Sequence, residues 1–119
     1  VWGSGNVMRE FLYVDDMAEA SLFVLELDEK TYKANTLPML SHINVGTGKD
    51  VTIRNMAQIM KQVIGFEGKL TFDKSKPDGA PRKLIDVSRL SNMGWKYSVG
   101  LKEGLNVTYS WFLESYKRR

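Results

Sequence analysis

The stretch that most constrains this chain is 2–16, WGSGNVMREFLYVDD, which places a glycine turn, one arginine, a β-prone segment and two aspartates in direct succession. The glycines let the backbone turn with positive φ and approach a ligand closely. Arg9 carries a planar, permanently charged fork of donors that fits two phosphate oxygens. These features together favour a phosphate site, although an arginine beside a glycine loop is also common on an ordinary protein surface.

Local patterns around this stretch predict a strand followed by a helix. The β-prone residues 10–14 form the expected strand, with Arg9 at its entrance. Asp15 or Asp16 is the expected helix cap, with Glu19 completing a capping box after Asp16. The helix itself is expected from 16 to 27, and it is apolar on most of its sides. Such a helix requires neighbours on most sides, and any part without a neighbour exposes apolar surface.

The rest of the chain alternates short β-prone segments with helical patterns, which predicts an α/β fold with few short strands and three to four helices. The expected order is a polar loop at 28–38, a strand at 41–45, a glycine turn at 46–48, a helix from Thr52 to Gly65, a strand at 69–72, a charged loop at 73–82, a short helix from Asp86 or Ser88 to Gly94, and a last helix from Leu101. We expect residues 1–119 to form one domain.

Composition excludes several classes of protein. No apolar run approaches the ~20 residues that a membrane span needs, and no secretion signal is visible at the start, VWGSG. The absence of cysteine rules out disulfides and is typical of a cytoplasmic protein. A net charge of +3 suits an anionic ligand but is too small to indicate nucleic-acid binding.

Two further motifs are weaker candidates. The turn Gly46-Thr47-Gly48 suggests a dinucleotide-binding loop, and Glu67 lies about 20 residues further on. Val51 stands where the third glycine of that motif belongs, so an ordinary turn is the preferred interpretation. His42 is the only histidine and has no cysteine partners for a zinc site. We therefore expect no metal and no cofactor to be bound by this chain.

The charged loop is a second candidate for anion binding. Its basic residues surround Asp78 and outnumber the acidic ones; they are Lys74, Lys76, Arg82 and Lys83. Charged loops are usually only solvated surface, so chemistry alone leaves both interpretations open.

The sequences of several segments resemble those of one protein family. WGSG…REFLYVDDMA, SHINVGTG, SKPDGAPRKL and IDVSRL…MGW occur in the order and spacing of the extended short-chain dehydrogenase/reductases, and most closely of the GDP-L-fucose synthases among them. The resemblance extends from Trp2 to about Phe112. It implies an NADPH-dependent epimerase-reductase that converts GDP-4-keto-6-deoxymannose to GDP-L-fucose, with NADPH held by an amino-terminal Rossmann domain that this chain lacks. It also implies a homodimeric enzyme.

The same resemblance implies a GDP-sugar site made of Trp2, Arg9, Asp78 and Lys83. Arg9 and Lys83 would neutralise the two phosphates, and Trp2 would offer a flat apolar wall to sugar or base. Asp78 would accept from ribose hydroxyls or from guanine N–H groups, and the sequence leaves both possibilities open.

The family's catalytic residues have no counterpart in this chain. It contains no cysteine, and no tyrosine is followed by lysine four residues later. We therefore expect a carboxy-terminal substrate-binding portion with no catalytic residue of its own. Two alternatives remain: a part of another nucleotide-sugar dehydratase or epimerase, and a stand-alone anion-binding or interaction module.

Overall fold

A computed structural model describes residues 1–117 and shows a small mixed sheet surrounded by helices. The strands are β1 (Met8–Glu10), β2 (Asp50–Thr52) and β3 (Arg82–Lys83), in the order β2-β1-β3. The central strand β1 is antiparallel to β2 and parallel to β3. The glycine turn and the charged loop predicted from the sequence therefore lead into strands of one sheet.

The register of the sheet sorts its side chains onto two faces, because successive residues of a strand point to opposite sides. Arg9 pairs with Val51 on one side and with Lys83 on the other, so these three share a face. The opposite face carries Met8, Glu10, Asp50, Thr52 and Arg82.

Five helices lie within the described residues: α1 (Val14–Leu25), α2 (Glu29–Asn35), α3 (Ile53–Ile64), α4 (Ser88–Asn92) and α5 (Leu101–Lys117). The limits expected for α3 are confirmed. Thr52 caps it by accepting from the Asn55 N–H, and Gly65 ends it in the left-handed conformation at φ 66°. None of these helices is long and apolar enough to cross a bilayer.

One more helix is present than the sequence suggested, because α2 lies inside the predicted loop 28–38. Asp28 caps this short helix by accepting from the N–H and the hydroxyl of Thr31. A helix of this length has no apolar stripe to reveal it, and its polar composition is equally typical of a loop.

The predicted capping of α1 by Asp15 or Asp16 is wrong. The helix begins earlier, after Tyr13, and has no side-chain cap. Asp16 is instead 2% exposed and accepts from the Ser98 N–H at 2.9 Å, the Ser98 hydroxyl at 2.7 Å and the Val99 N–H at 3.0 Å. The Asp16 carboxylate thus binds the backbone of residues 98–99 instead of capping α1. This contact joins α1 to the segment that leads into α5.

Three predicted strands also differ from the structure. Segment 10–14 keeps only Glu10 in a strand, because α1 begins at Val14. Segment 41–45 pairs with no strand in the described part of the chain, although Ile43 and Val45 pack against the core as expected of a buried strand. Segment 69–72 is not a strand either, since its neighbourhood joins residues 1–3 only through isolated bonds such as Asp73 N–H to Val1 carbonyl at 2.8 Å.

The buried core is small and lies between α1 and α4, where Ala20, Leu90 and Trp95 meet. The outer side of α1 is not covered by the rest of residues 1–117: Val14, Leu22 and Leu25 are exposed, Leu25 by 79%. The sequence-based expectation that α1 exposes apolar surface is therefore confirmed for the chain taken alone.

Candidate anion-binding site

Arg9 and Lys83 lie side by side on one face of the sheet. They are register partners in the parallel pair β1–β3, and neighbouring strands are about 4.8 Å apart. Lys83 is exposed and Arg9 is half-buried. Two cationic side chains on adjacent strands can contact the same dianionic group from two sides.

The charged loop passes close to Arg9. The Arg9 guanidinium donates to the Met8 carbonyl at 2.6 Å, and a Cβ atom at position 79 would lie 3.8 Å from Arg9 Nη2. Gly79 has a φ of 73°, a conformation that other residues rarely adopt. The loop thus brings a backbone without a side chain to the arginine, which leaves room beside the guanidinium.

Asp78 attaches this loop to the glycine turn at the start of the chain. Its two carboxylate oxygens accept from the Ser4 N–H at 2.6 Å and the Ser4 hydroxyl at 2.7 Å. These bonds hold the pKa of Asp78 below its usual value. Gly3 has a φ of 83°, and a side chain there would collide with the Asp78 carboxylate. The sequence did not single out Ser4 as a partner of Asp78, since the two residues lie 74 positions apart.

Trp2 lies at the outer end of the same surface. The residue is 78% exposed, its backbone forms a bridge with Asp73, and the Lys76 ammonium lies 5.6 Å from its ring centroid. The residues proposed from the sequence are linked pairwise: Asp78 bonds to Ser4, Gly79 approaches Arg9, and Arg9 pairs with Lys83. We call this surface, made of Trp2, Ser4, Arg9, Asp78, Gly79 and Lys83, the β1–β3 surface.

Arg82 does not belong to that surface. It points to the other face, where its Nε and Nη2 donate to Asp50 across the central strand at 2.5 and 3.2 Å. The hydrogen bonds lower the pKa of Asp50 and raise that of Arg82. Arg82 thus has a structural partner, whereas Lys83 lies on the same face of the sheet as Arg9.

The glycine turn 46–48 does not fit a dinucleotide. The N–H groups of Thr47 and Gly48, which a phosphate would need as donors, both bind Glu10 Oε1, at 2.5 and 2.8 Å. A phosphate would have to displace this carboxylate, which also repels it. The preference for an ordinary turn at this position agrees with this geometry.

We accordingly expect residues 1–119 alone to show no saturable binding of NADPH at micromolar concentration. The measurement is the change in nicotinamide fluorescence during titration, with NADP⁺ competition as the control for non-specific quenching. A saturable signal that NADP⁺ removes would contradict the interpretation of residues 46–48 as an ordinary turn.

His42 lies in a polar cavity of about 250 Å³ lined by Asn44, Asp86, Ser88 and Arg89. Arg89 holds this region together by donating to the His42 and Leu40 carbonyls. Within residues 1–117 no three His, Cys, Asp or Glu side chains are arranged to hold a metal ion.

Comparison with known proteins gives the context of this surface. Residues 1–46 match the model of the NAD dependent epimerase/dehydratase family. The chain is 58% identical to GDP-L-fucose synthase of Escherichia coli over 118 residues, covering 99% of this chain and 37% of that enzyme. It is also 48% identical to GDP-L-fucose synthase 1 of Arabidopsis thaliana, over all of this chain and 34% of that protein. Nearly the whole chain is thus similar to a fragment of these enzymes.

Solved structures of enzymes that act on nucleotide-linked sugars share the fold. A GDP-6-OMe-4-keto-L-xylo-heptose reductase from C. jejuni superimposes with a TM-score of 0.86 at 35% identity, over 97% of this chain and 33% of that one. A GDP-L-fucose synthetase from Naegleria fowleri bound to NADP gives 0.81 at 27% identity, over 98% and 35%. The chain thus spans about a third of the length of its relatives, and it matches their carboxy-terminal part.

Proposed function

We propose that this chain is the carboxy-terminal substrate-binding portion of a GDP-L-fucose synthase, which converts GDP-4-keto-6-deoxymannose to GDP-L-fucose with NADPH. The observation that carries the proposal is the pairing of Arg9 and Lys83 on one sheet face, in a chain 58% identical to the E. coli enzyme of that name. A guanidinium beside an ammonium is an arrangement suited to a diphosphate.

Each member of the β1–β3 surface has a defined part in this proposal. Arg9 binds two phosphate oxygens at once and Lys83 neutralises the remaining charge. Trp2 supplies an exposed ring for the base or the sugar. Asp78 holds the loop on Ser4, and because a carboxylate oxygen has two lone pairs, it can also accept from a ribose or guanine donor.

The chemical step depends on residues outside this chain. NADPH and the groups that transfer protons to the sugar would belong to an amino-terminal domain of the full-length protein. The residues described here bind the GDP moiety and orient the sugar relative to that domain. The resemblance further implies a cytoplasmic homodimer, which is part of the same proposal.

A second candidate is the reduction of a different GDP-linked sugar. The heptose reductase from C. jejuni shares the fold at 35% identity, and a GDP-L-colitose synthase of Yersinia pseudotuberculosis is 37% identical over 95% of this chain. A diphosphate site made of Arg9 and Lys83 would serve these substrates equally, because these two side chains would contact no part of the sugar.

The test uses the full-length protein with NADPH and GDP-4-keto-6-deoxymannose. We expect substrate-dependent oxidation of NADPH with GDP-L-fucose as the product. A protein that oxidises NADPH only with a GDP-heptose would favour the second candidate, and one that binds no GDP at all would overturn both.

A further inference from the structure

The carboxylate of Glu10 joins three separate segments beneath the anion-binding face. Its Oε1 accepts from the Thr47 and Gly48 N–H groups, and its Oε2 accepts from the Ile85 N–H at 3.1 Å. Both oxygens of one side chain in β1 are thus occupied by main-chain donors, on the turn before β2 and on the segment after β3.

Glu10 lies on the opposite face of the sheet from Arg9 and Lys83. The register places Glu10 with Asp50 and Met8 and places its neighbour Arg9 on the other side. Glu10 therefore cannot contact an anion bound to the β1–β3 surface. Any influence on that anion must pass through the backbone of the strands.

The strand that carries Lys83 needs such support. The pairing of β1 with β3 covers only two positions, and a ladder this short is marginal without further contacts. The bond from Ile85 to Glu10 lies two residues beyond Lys83 and continues the attachment of this segment to β1. Gly46 completes the arrangement, because a side chain there would collide with the Glu10 carboxylate and with Ile85.

We propose that Glu10 is a positioning residue for the diphosphate site: it fixes the segment after β3 to β1 and so sets the separation between the Lys83 ammonium and the Arg9 guanidinium. This inference rests on the proposed function, since it presupposes that the two cations bind one diphosphate. The spacing matters because misplacing a binding group by about 1 Å can reduce activity about 100-fold.

Glu10→Gln in the full-length protein is the direct test. Both oxygens of a carboxylate accept hydrogen bonds, whereas an amide has one accepting oxygen and one donating nitrogen. The NH₂ group of the introduced glutamine would therefore face either the Ile85 N–H or the N–H groups of the 46–48 turn, and two donors would oppose each other. We expect roughly tenfold weaker GDP binding by calorimetry and a raised KM for the GDP-sugar with a smaller change in kcat. The matched control is Asp28→Asn, which makes the same chemical change at the remote cap of α2.

The readout that separates positioning from general stability is a double-mutant cycle. Because Glu10 acts through Lys83, Glu10→Gln should cost almost nothing more in a Lys83→Ala background. The same fold-loss in both backgrounds, or a lower Tm with unchanged GDP affinity, would overturn the inference.

Gly46→Ala is the second variant: it keeps the Glu10 carboxylate but displaces it, and we expect the same loss of GDP affinity. Failure of the unaltered protein to bind GDP would overturn the proposed function and this inference together, whereas GDP binding that depends on Arg9 but not on Glu10 would overturn the inference alone.

Discussion

Replacing Arg9 by lysine is expected to weaken GDP binding to the full-length protein by one to two orders of magnitude, although the charge is kept. A lysine ammonium cannot make the two parallel bonds of a guanidinium. Losing a charge-assisted hydrogen bond costs about 1.5–3 kcal/mol, which corresponds to roughly that loss in affinity. The measurement is a calorimetric titration with GDP.

Lys83→Ala provides the comparison within the same site. We expect a smaller loss than for Arg9→Lys, because water can replace a single point charge on a flexible stem. Arg82 cannot take over this role, since its guanidinium is bound to Asp50 on the other face. Lys33→Ala, at an exposed lysine of α2, removes the same charge at a remote position and should leave GDP affinity unchanged. Unchanged affinity in Arg9→Lys would remove Arg9 from the phosphate site.

The second large effect is expected for Asp16→Ala, which should reduce the free energy of unfolding by about 2–4 kcal/mol. The substitution leaves two backbone N–H groups without their buried acceptor, at about 1–3 kcal/mol for each group that stays unsatisfied, whereas the hydroxyl of the exposed Ser98 can bond to water. Such a loss is a large share of the 5–15 kcal/mol typical of a domain. Urea unfolding measures it, and Asp28→Ala, which removes one exposed helix cap and should have a much smaller effect, is the control.

The Asp16 effect should also depend on pH in a defined direction. Burial alone would raise the pKa of Asp16, but the bonds from Ser98 and Val99 outweigh it and lower the pKa in the folded chain. A carboxyl whose folded pKa is lowered contributes stability above its unfolded pKa and loses that contribution as the pH falls through its folded pKa. The difference in free energy of unfolding between the unaltered protein and Asp16→Ala should therefore be greatest near pH 6 and decrease below about pH 4. A difference that is constant down to pH 2 would contradict this account of Asp16.

Features with local causes were predicted well from the sequence. The cap of α3 at Thr52 and its end at Gly65 follow from the chemistry of those residues alone, and the structure has both. The fold class and the similarity to GDP-L-fucose synthases also follow from short segments such as WGSG and SKPDGAPRKL. Arg9 was placed at a strand entrance, and it lies within β1, one position from that expectation.

Features that depend on distant partners were missed. Ser4 and Asp78 are 74 residues apart, and Glu10 and Ile85 are 75 apart, so no local pattern indicates either bond. The same cause explains the errors in the strands: β2 and β3 exist because β1 lies between them, whereas segment 41–45 has β-prone residues but no partner strand in residues 1–117. Asp16 shows how a distant partner can override a local pattern, because its carboxylate binds Ser98 instead of capping α1.

A crystal structure of the full-length protein with bound GDP would show directly where the diphosphate binds. We expect oxygens of the diphosphate to lie about 2.7–3.1 Å from the Arg9 guanidinium and from the Lys83 ammonium, on the face of the sheet opposite Glu10. A diphosphate bound elsewhere, with neither side chain within hydrogen-bonding distance, would contradict the assignment of the β1–β3 surface as the GDP site.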